Sequence, residues 1–161
     1  MQAIESFPTA DNVANLQLDA NGNLRHLLTL DGLDKDMLVG LLDDAQKFVT
    51  LPGESTVRSP SLAGRTVANL FFEASTRTRA SFDLAGKRLG ADVLNLDVNT
   101  SSRKKGESIL DTIYTLQAMQ VDVMVIRDAS AGVPAYIARH VNDHVSILNA
   151  GEAEVSHPTQ G

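Results

Sequence analysis

Phe71-Phe72-Glu73-Ala74-Ser75-Thr76-Arg77-Thr78-Arg79-Ala80-Ser81-Phe82 is the stretch on which the fold reading turns, because an apolar run gives way there to hydroxyl and guanidinium groups with a helical pattern behind them. If Ser75 to Thr78 form the first helical turn, their backbone N–H groups have no intrahelical acceptor and point outward along the axis. The helix dipole adds a partial positive charge at that end, so an anion seated there gains both hydrogen bonds and field energy. Ser75, Thr76 and Thr78 supply hydroxyls, and Arg77 supplies a planar fork suited to phosphate oxygens. An ordinary N-cap at Ser75 would explain that serine alone, since Ser is favoured there for structural reasons. Two arginines separated by one threonine exceed what a cap requires. They leave the helix in different directions, so that one can face a ligand while the other pairs with a carboxylate such as Glu73.

Working outward, Arg65 to Phe72 reads as a strand whose near-continuous apolar run fits a sheet covered on both faces. The helix behind the hydroxyl cluster carries Phe82, Ala85 and Leu89 on one face and stops at Gly90, a residue suited to the left-handed position after a helix. A strand over Ala91–Asp97, a helix over Glu107–Met119, a strand over Val121–Ile126, a short helix over Val133–Val141 and a strand over Val145–Leu148 continue the alternation. Strand–helix alternation implies right-handed crossovers. The fold class expected is therefore α/β, a four-stranded parallel sheet with helices on both faces, doubly wound in three layers. In such sheets ligands sit beyond the carboxyl ends of the strands. The segments that follow the strands, Ser75–Arg79, Asn99–Lys105, Arg127-Asp128 and Asn149–Gln160, bring polar and basic groups to one edge.

Ahead of the alternation, Asp34 is a candidate N-cap for an amphipathic helix over 34–50, whose Leu38, Leu41, Leu42, Ala45, Phe48 and Val49 recur at three- and four-residue steps and should lie against the core. Leu51-Pro52-Gly53 ends it. Residues 1–33 are expected to be an N-terminal arm and 34–161 the folded domain. Met1 to Asn23 has no sustained period and reads as a frayed terminus, or as a tail that folds on contact with a partner.

Composition narrows the function classes. With 161 residues, 43% hydrophobic and 21% charged, the chain suits one globular domain with a core. Its 14 Lys and Arg against 20 Asp and Glu give a net charge of -6, which disfavours a nucleic-acid surface and leaves the basic residues for local work. There is no Cys, hence no disulfide framework and no thiolate metal site, in keeping with a cytoplasmic location. No stretch approaches the ~20 apolar residues of a membrane span, and the N-terminus lacks the pattern of an export signal.

Three further groups belong to the sheet edge. Arg127 follows the buried run Val123-Met124-Val125-Ile126; its alternative is an ion pair with Asp128 or Asp122. His157-Pro158-Thr159-Gln160 holds its imidazole beside a residue that enforces extended geometry and can open a helix. His26, His140 and His144 read as structural, and no metal-ligand spacing links the histidines and carboxylates. Ser101-Ser102-Arg103-Lys104-Lys105-Gly106 is a charged loop that is either a solvated basic run, a lid over its own site, or an arm reaching into a neighbouring subunit.

Assembled in this order, the motifs resemble the amino-terminal half of the aspartate carbamoyltransferase catalytic chain. The cluster at 71–82 is similar to that family's carbamoyl phosphate signature, and Lys104-Lys105-Gly106-Glu107, Val125-Ile126-Arg127 and His157-Pro158-Thr159-Gln160 follow in the family's order and spacing. Ala74 and the paired lysines favour the aspartate enzyme over its ornithine relative, which shares the Ser-Thr-Arg-Thr-Arg core. The resemblance implies transfer of the carbamoyl group from carbamoyl phosphate to the L-aspartate amine in de novo pyrimidine biosynthesis, without a metal or organic cofactor. It implies that Ser75, Thr76, Arg77, Thr78 and Arg127 hold the phosphate. By the same likeness Thr78, Arg127 and His157 polarise the carbamoyl carbonyl, and Gln160 binds its amino group. Ser101 and Lys105 would enter the site of the adjacent subunit in a homotrimer, alone or within a larger assembly that includes a second protein. Family members carry a second domain of similar size with most aspartate contacts; it is absent from this chain, so the chain is expected to be a fragment that binds carbamoyl phosphate poorly and catalyses little alone. Gly161 departs from the family pattern, where a helix former is usual, and reads as an added residue. The alternatives are ornithine carbamoyltransferase and a non-catalytic trimerisation or docking module.

Overall fold

Val67, Ala68, Asn69, Leu70 and Phe71 are all buried, an uninterrupted row that only a strand covered on both faces produces. In the computed structural model, which describes residues 13–97, 108–152 and 157–160, this row is the central part of a four-stranded parallel sheet. The strands are β1 (Thr66–Phe71), β2 (Asp92–Asp97), β3 (Val123–Asp128) and β4 (Ser146–Glu152), and the helices are α1 (Lys35–Gln46), α2 (Thr76–Arg88), α3 (Ile109–Ala118) and α4 (Val133–Ala138). The sheet order is β2-β1-β3-β4. The chain thus leaves β1 toward one side to make β2, then crosses back to place β3 on the other side of β1. The carboxyl ends of β1 and β3 meet where the winding reverses, the place at which open α/β sheets take ligands.

The α/β fold class expected from the alternation is the one observed, with helices on both faces. On one face α3 and α4 cover Ala68, Leu70, Met124, Ile126 and Ile147, with Ile113, Leu116 and Ile137 fully or almost fully buried. On the other, α2 lies over Val67, Phe71 and Val125 through Phe82. Gly86 lets α2 approach closely, since a Cβ there would meet Val93 Cγ2 at 2.8 Å. Local signals set the helix ends. Ser108 and Asp111 form a reciprocal capping box that starts α3. Gly90, at φ +83°, turns the chain out of α2 in the left-handed conformation expected of it.

Several boundaries differ from the sequence reading. β3 extends through Arg127 and Asp128 instead of ending at Ile126, because the Phe72 N–H donates to the Arg127 carbonyl at 2.8 Å and carries the ladder past the apolar run. β4 likewise continues to Glu152. Helix α1 is capped by Asp34, whose carboxylate accepts from the Met37 N–H at 2.7 Å, but it ends at Gln46 and buries no residue. Its stripe is exposed, Leu42 to 70% and Val49 beyond it to 63%, so the expected packing against the core is not found. Periodicity identifies an apolar face without saying what covers it.

The segment ahead of α1 is also more than an arm. Leu27 adds a parallel bridge to Leu148 on the outer edge of β4, donating to Ile147 and accepting from Asn149, both at 2.9 Å. Leu28 is buried in the main core, which stabilises the fold by about 2 kcal/mol on transfer grounds. Gln17, fully buried, accepts the Leu28 and Thr29 N–H groups at 2.8 and 2.9 Å, and the buried His26 accepts the Ile147 N–H at 3.0 Å. From Gln17 to Leu28 the chain is therefore part of the folded body, and an arm boundary after residue 33 does not describe its packing.

Candidate active site

The turn leaving β1 carries the hydroxyl cluster to the carboxyl edge of the sheet. Ser75 stands at the N-cap of α2 in a non-helical conformation, yet its hydroxyl makes no capping bond. That removes the simplest structural explanation for it. The first intrahelical bond runs from Arg79 N–H to the Ser75 carbonyl at 3.0 Å, which leaves the N–H groups ahead of it without a helical acceptor. Thr78 is buried, while Thr76 and Arg77 are exposed.

Arg127, opposite Phe71 in the β1–β3 register, lies beside this turn. Its Nη1 donates to the Ala150 carbonyl at 3.0 Å, and its Nε is 3.6 Å from Glu73 Oε2, within ion-pair range but too long for a hydrogen bond. Glu73, a carboxylate that could pair with one of the two arginines of the turn, lies within ion-pair range of Arg127. Of the carboxylates proposed for Arg127, Asp122 is taken by Arg65 at 2.6 Å. Asp128 is buried and accepts the Ser130 N–H at 2.8 Å.

Gly151 brings Arg127 and His157 together. At φ +115° it occupies a conformation that L side chains rarely adopt, and a Cβ built on it would collide with Arg127 Nη1, lie 3.2 Å from Arg127 Cζ and 3.0 Å from His157 Cδ2. Both side chains are therefore stacked against the same bare backbone position. The His157 Nδ1 is 3.1 Å from the Thr159 hydroxyl. When that hydroxyl donates, the proton of the ring sits on Nε2. Burial, followed by the Arg127 charge, holds the His157 pKa below its ordinary value, which favours the neutral ring. Arg127 Nε and His157 Nε2 are both buried without a hydrogen-bond partner among the described residues. Orphaned polar atoms of this kind are uncommon, and two at one crevice suit a ligand acceptor.

Behind them, Asn149 accepts the Gly151 N–H at 2.9 Å and donates to Glu152 at 3.1 Å and to the Leu28 carbonyl at 2.9 Å. Glu152 also accepts the Gly132 N–H at the start of α4, and burial raises its pKa. These groups hold the turn that Gly151 makes. Gln160 is exposed at the end of a turn in which its N–H donates to the His157 carbonyl at 2.8 Å. Ser101 and Lys105 lie outside the described residues. The structure thus gathers Arg127 and His157 at Gly151, with Arg127 3.6 Å from Glu73 in the turn that leads from β1 to Ser75. Gly151 and Asn149 were not singled out from the sequence; a glycine just past an apolar strand was the available signal for the first, and nothing marked the second.

Residues 25–161 match the family described as aspartate/ornithine carbamoyltransferase, carbamoyl-P binding domain. The chain belongs to this carbamoyltransferase family. Among solved relatives, the catalytic subunit of aspartate transcarbamoylase from M. jannaschii is 34% identical with a TM-score of 0.72 over 85% of this chain and 44% of its own. Aspartate transcarbamoylase from Trypanosoma cruzi, solved with carbamoyl aspartate and phosphate, is 33% identical with a TM-score of 0.70 over 98% of this chain and 45% of its own. Ornithine carbamoyltransferase from Thermus thermophilus, at 23% identity and a TM-score of 0.69 over 86% of this chain and 45% of its own, shares the fold. The carbamoyltransferase domain described here therefore spans less than half the length of these solved chains. None of its described helices is long and apolar enough to cross a membrane.

Proposed function

We propose that this chain is the carbamoyl phosphate-binding half of a cytoplasmic aspartate carbamoyltransferase of pyrimidine biosynthesis, with most aspartate contacts supplied by a second domain outside residues 1–161. The observation that carries the reading is a pair of buried nitrogens, Arg127 Nε and His157 Nε2, that make no hydrogen bond among the described residues, on the sheet edge to which β1 leads the α2 N-terminus, whose Ser75 hydroxyl is not spent on a cap. The phosphate sits on the Ser75–Thr78 N–H groups, with Arg77 and Arg127 neutralising its charge. The carbamoyl oxygen faces Thr78, Arg127 and His157, and the carbamoyl amino group faces Gln160.

The reaction follows from these placements. The aspartate amine attacks the carbamoyl carbon, negative charge gathers on the carbonyl oxygen, and the C–O bond to phosphate breaks as the carbonyl re-forms. Donors fixed before the reaction stabilise that oxygen without reorganising, and loss of one costs ~10²–10³ in rate. A neutral His157 with its proton on Nε2 acts as such a donor. The amine proton is lost as the new C–N bond forms, and the departing phosphate dianion is a chemically competent acceptor. Ser101 and Lys105 complete the site of an adjacent subunit in a homotrimer.

Greater similarity to the aspartate enzymes supports aspartate as the acceptor. Ornithine is the second reading, since the family includes both. The binding half of the proposal is tested by thermal denaturation of the chain with carbamoyl phosphate. At a concentration of 100 times Kd the ligand adds about 2.7 kcal/mol, or roughly 5–10 °C for a domain of this size, and Arg77→Ala abolishes the gain. No gain in the wild-type chain refutes it. Acceptor identity is read from which amino acid becomes carbamoylated when the domain is joined to its second half.

A further inference from the structure

Asn69 is the anomaly of β1. It lies between Val67 and Phe71 on the face covered by α2, is fully buried, and its Oδ1 has no hydrogen-bond partner among the described residues. Burying an amide in a strand whose other buried residues are apolar costs stability unless all its bonds are made. Its Nδ2 donates to Asn95 Oδ1 on β2 at 2.9 Å, and Asn95 Nδ2 donates to Asp83 Oδ1 on α2 at 2.8 Å. Lys87, one turn further along α2, donates to the other Asp83 oxygen at 2.8 Å. Hydrogen bonds from Lys87 and Asn95 hold the Asp83 carboxyl below the usual range, so it stays an acceptor at neutral pH.

This chain of side chains joins three elements, and each delivers part of the proposed site. β1 leads into the Ser75–Thr78 turn, α2 presents that turn's N–H groups, and β2 leads into the segment that holds Ser101 and Lys105. Apolar packing between Phe82, Val67 and Phe71 tolerates small slides of the helix along the sheet, whereas a directed hydrogen bond does not. We propose that Asn69, Asn95 and Asp83 are positioning residues that lock α2 to β1 and β2 in one register, so that the first turn of α2 is aimed at the anion before it binds. The strut rests on the reading of that turn as the phosphate site. It stands apart from the groups expected to touch substrate, and it trades stability for alignment.

The trade makes the inference testable. Asn69→Val removes a buried unsatisfied oxygen and should leave the melting temperature unchanged or higher, while weakening affinity for inorganic phosphate on the order of tenfold, in line with the sensitivity of bound anions to small misplacements. A residue with only a structural role would not move the two readouts in opposite directions. At the half-buried Asp83, Asp83→Leu and Asp83→Asn form a second pair. Asparagine keeps the Oδ1 acceptor and should retain affinity, and leucine should lose it. Amide hydrogen exchange of the unliganded protein supplies a readout independent of phosphate. Exchange at Arg79 to Phe82 should quicken in Asn69→Val and Asp83→Leu but not in Asp83→Asn. Wild-type affinity and wild-type exchange in both Asn69→Val and Asp83→Leu would overturn the strut. If the wild-type chain binds no phosphate, the site reading fails, and the exchange comparison alone decides whether the strut exists.

Discussion

Replacing Gly151 with alanine tests the site through a residue that contributes no side chain. At φ +115° any L residue is strained, at roughly 1–3 kcal/mol. The new Cβ would also collide with Arg127 Nη1 and sit 3.0 Å from His157 Cδ2, so at least one of the two must move. Moving Arg127 breaks its 3.0 Å bond to the Ala150 carbonyl, a charge-assisted contact whose loss costs about 1.5–3 kcal/mol. Taking about 4 kcal/mol for the sum, the melting temperature should fall by roughly 8–16 °C. Gly22→Ala is the control. Its φ of +82° imposes comparable backbone strain, but nothing lies within 4 Å of its Cβ, so it should cost only about 1–2 kcal/mol and leave phosphate binding intact. Calorimetric titration with inorganic phosphate, below the melting transition of each variant, separates the two. The Gly151 variant should bind at least tenfold more weakly, in line with the cost of a small misplacement. Equal melting temperatures and equal affinities in the two variants would refute the stacking of Arg127 and His157 on this backbone position.

Other consequences follow from burial and charge. His26, buried and accepting the Ile147 N–H, has its pKa lowered from 6.5 to about 4 by burial and then by the Arg25 charge. The unfolded chain therefore binds the extra proton first as pH falls. This group's stabilising contribution is intact above pH 6.5 and is lost progressively toward pH 4, by about 2 kcal/mol between pH 7 and pH 5. Urea titrations should show that loss in the wild type and not in His26→Gln. Ile126→Ala, at a fully buried position of β3, should cost about 2–5 kcal/mol in the same measurement. Leu42→Glu, despite its place in an apolar stripe, should change stability by less than about 0.5 kcal/mol, because the side chain is 70% exposed. Arg127→Lys keeps the charge but loses the planar fork; in the two-domain enzyme it should lower turnover ~10²-fold or more, and the lost bond to the Ala150 carbonyl should cost about 1.5–3 kcal/mol of stability.

What the sequence discloses and what it hides divide along physical lines. Apolar runs such as Val123–Ile126 and stripes such as Ile109, Ile113 and Leu116 state their own period, so the alternation and the parallel sheet were legible. That Arg127 lies at the carboxyl end of a strand next to β1 followed from that alternation. The placement of residues 17–28 did not, because its anchors are polar. Gln17 and His26 bind backbone N–H groups in the core, and no hydrophobic pattern reports a buried amide or imidazole. The ends of β3 and β4 were missed for a related reason, since Arg127 and Asp128 continue the ladder through backbone bonds regardless of side-chain polarity. The contact of Gly151 with Arg127 and His157 is a tertiary coincidence of three separate segments, beyond the reach of local pattern.

The central claim is that one anion is held jointly by the α2 N-terminus and by Arg127 and His157 across the β1/β3 crevice. A crystal structure of the chain with carbamoyl phosphate tests this most directly. Phosphate oxygens should accept from N–H groups within Ser75–Thr78 and from the Arg127 guanidinium, with the carbamoyl oxygen against His157 Nε2. Carbamoyl phosphate bound elsewhere, or bound to the α2 turn while Arg127 and His157 stay unengaged, would contradict it.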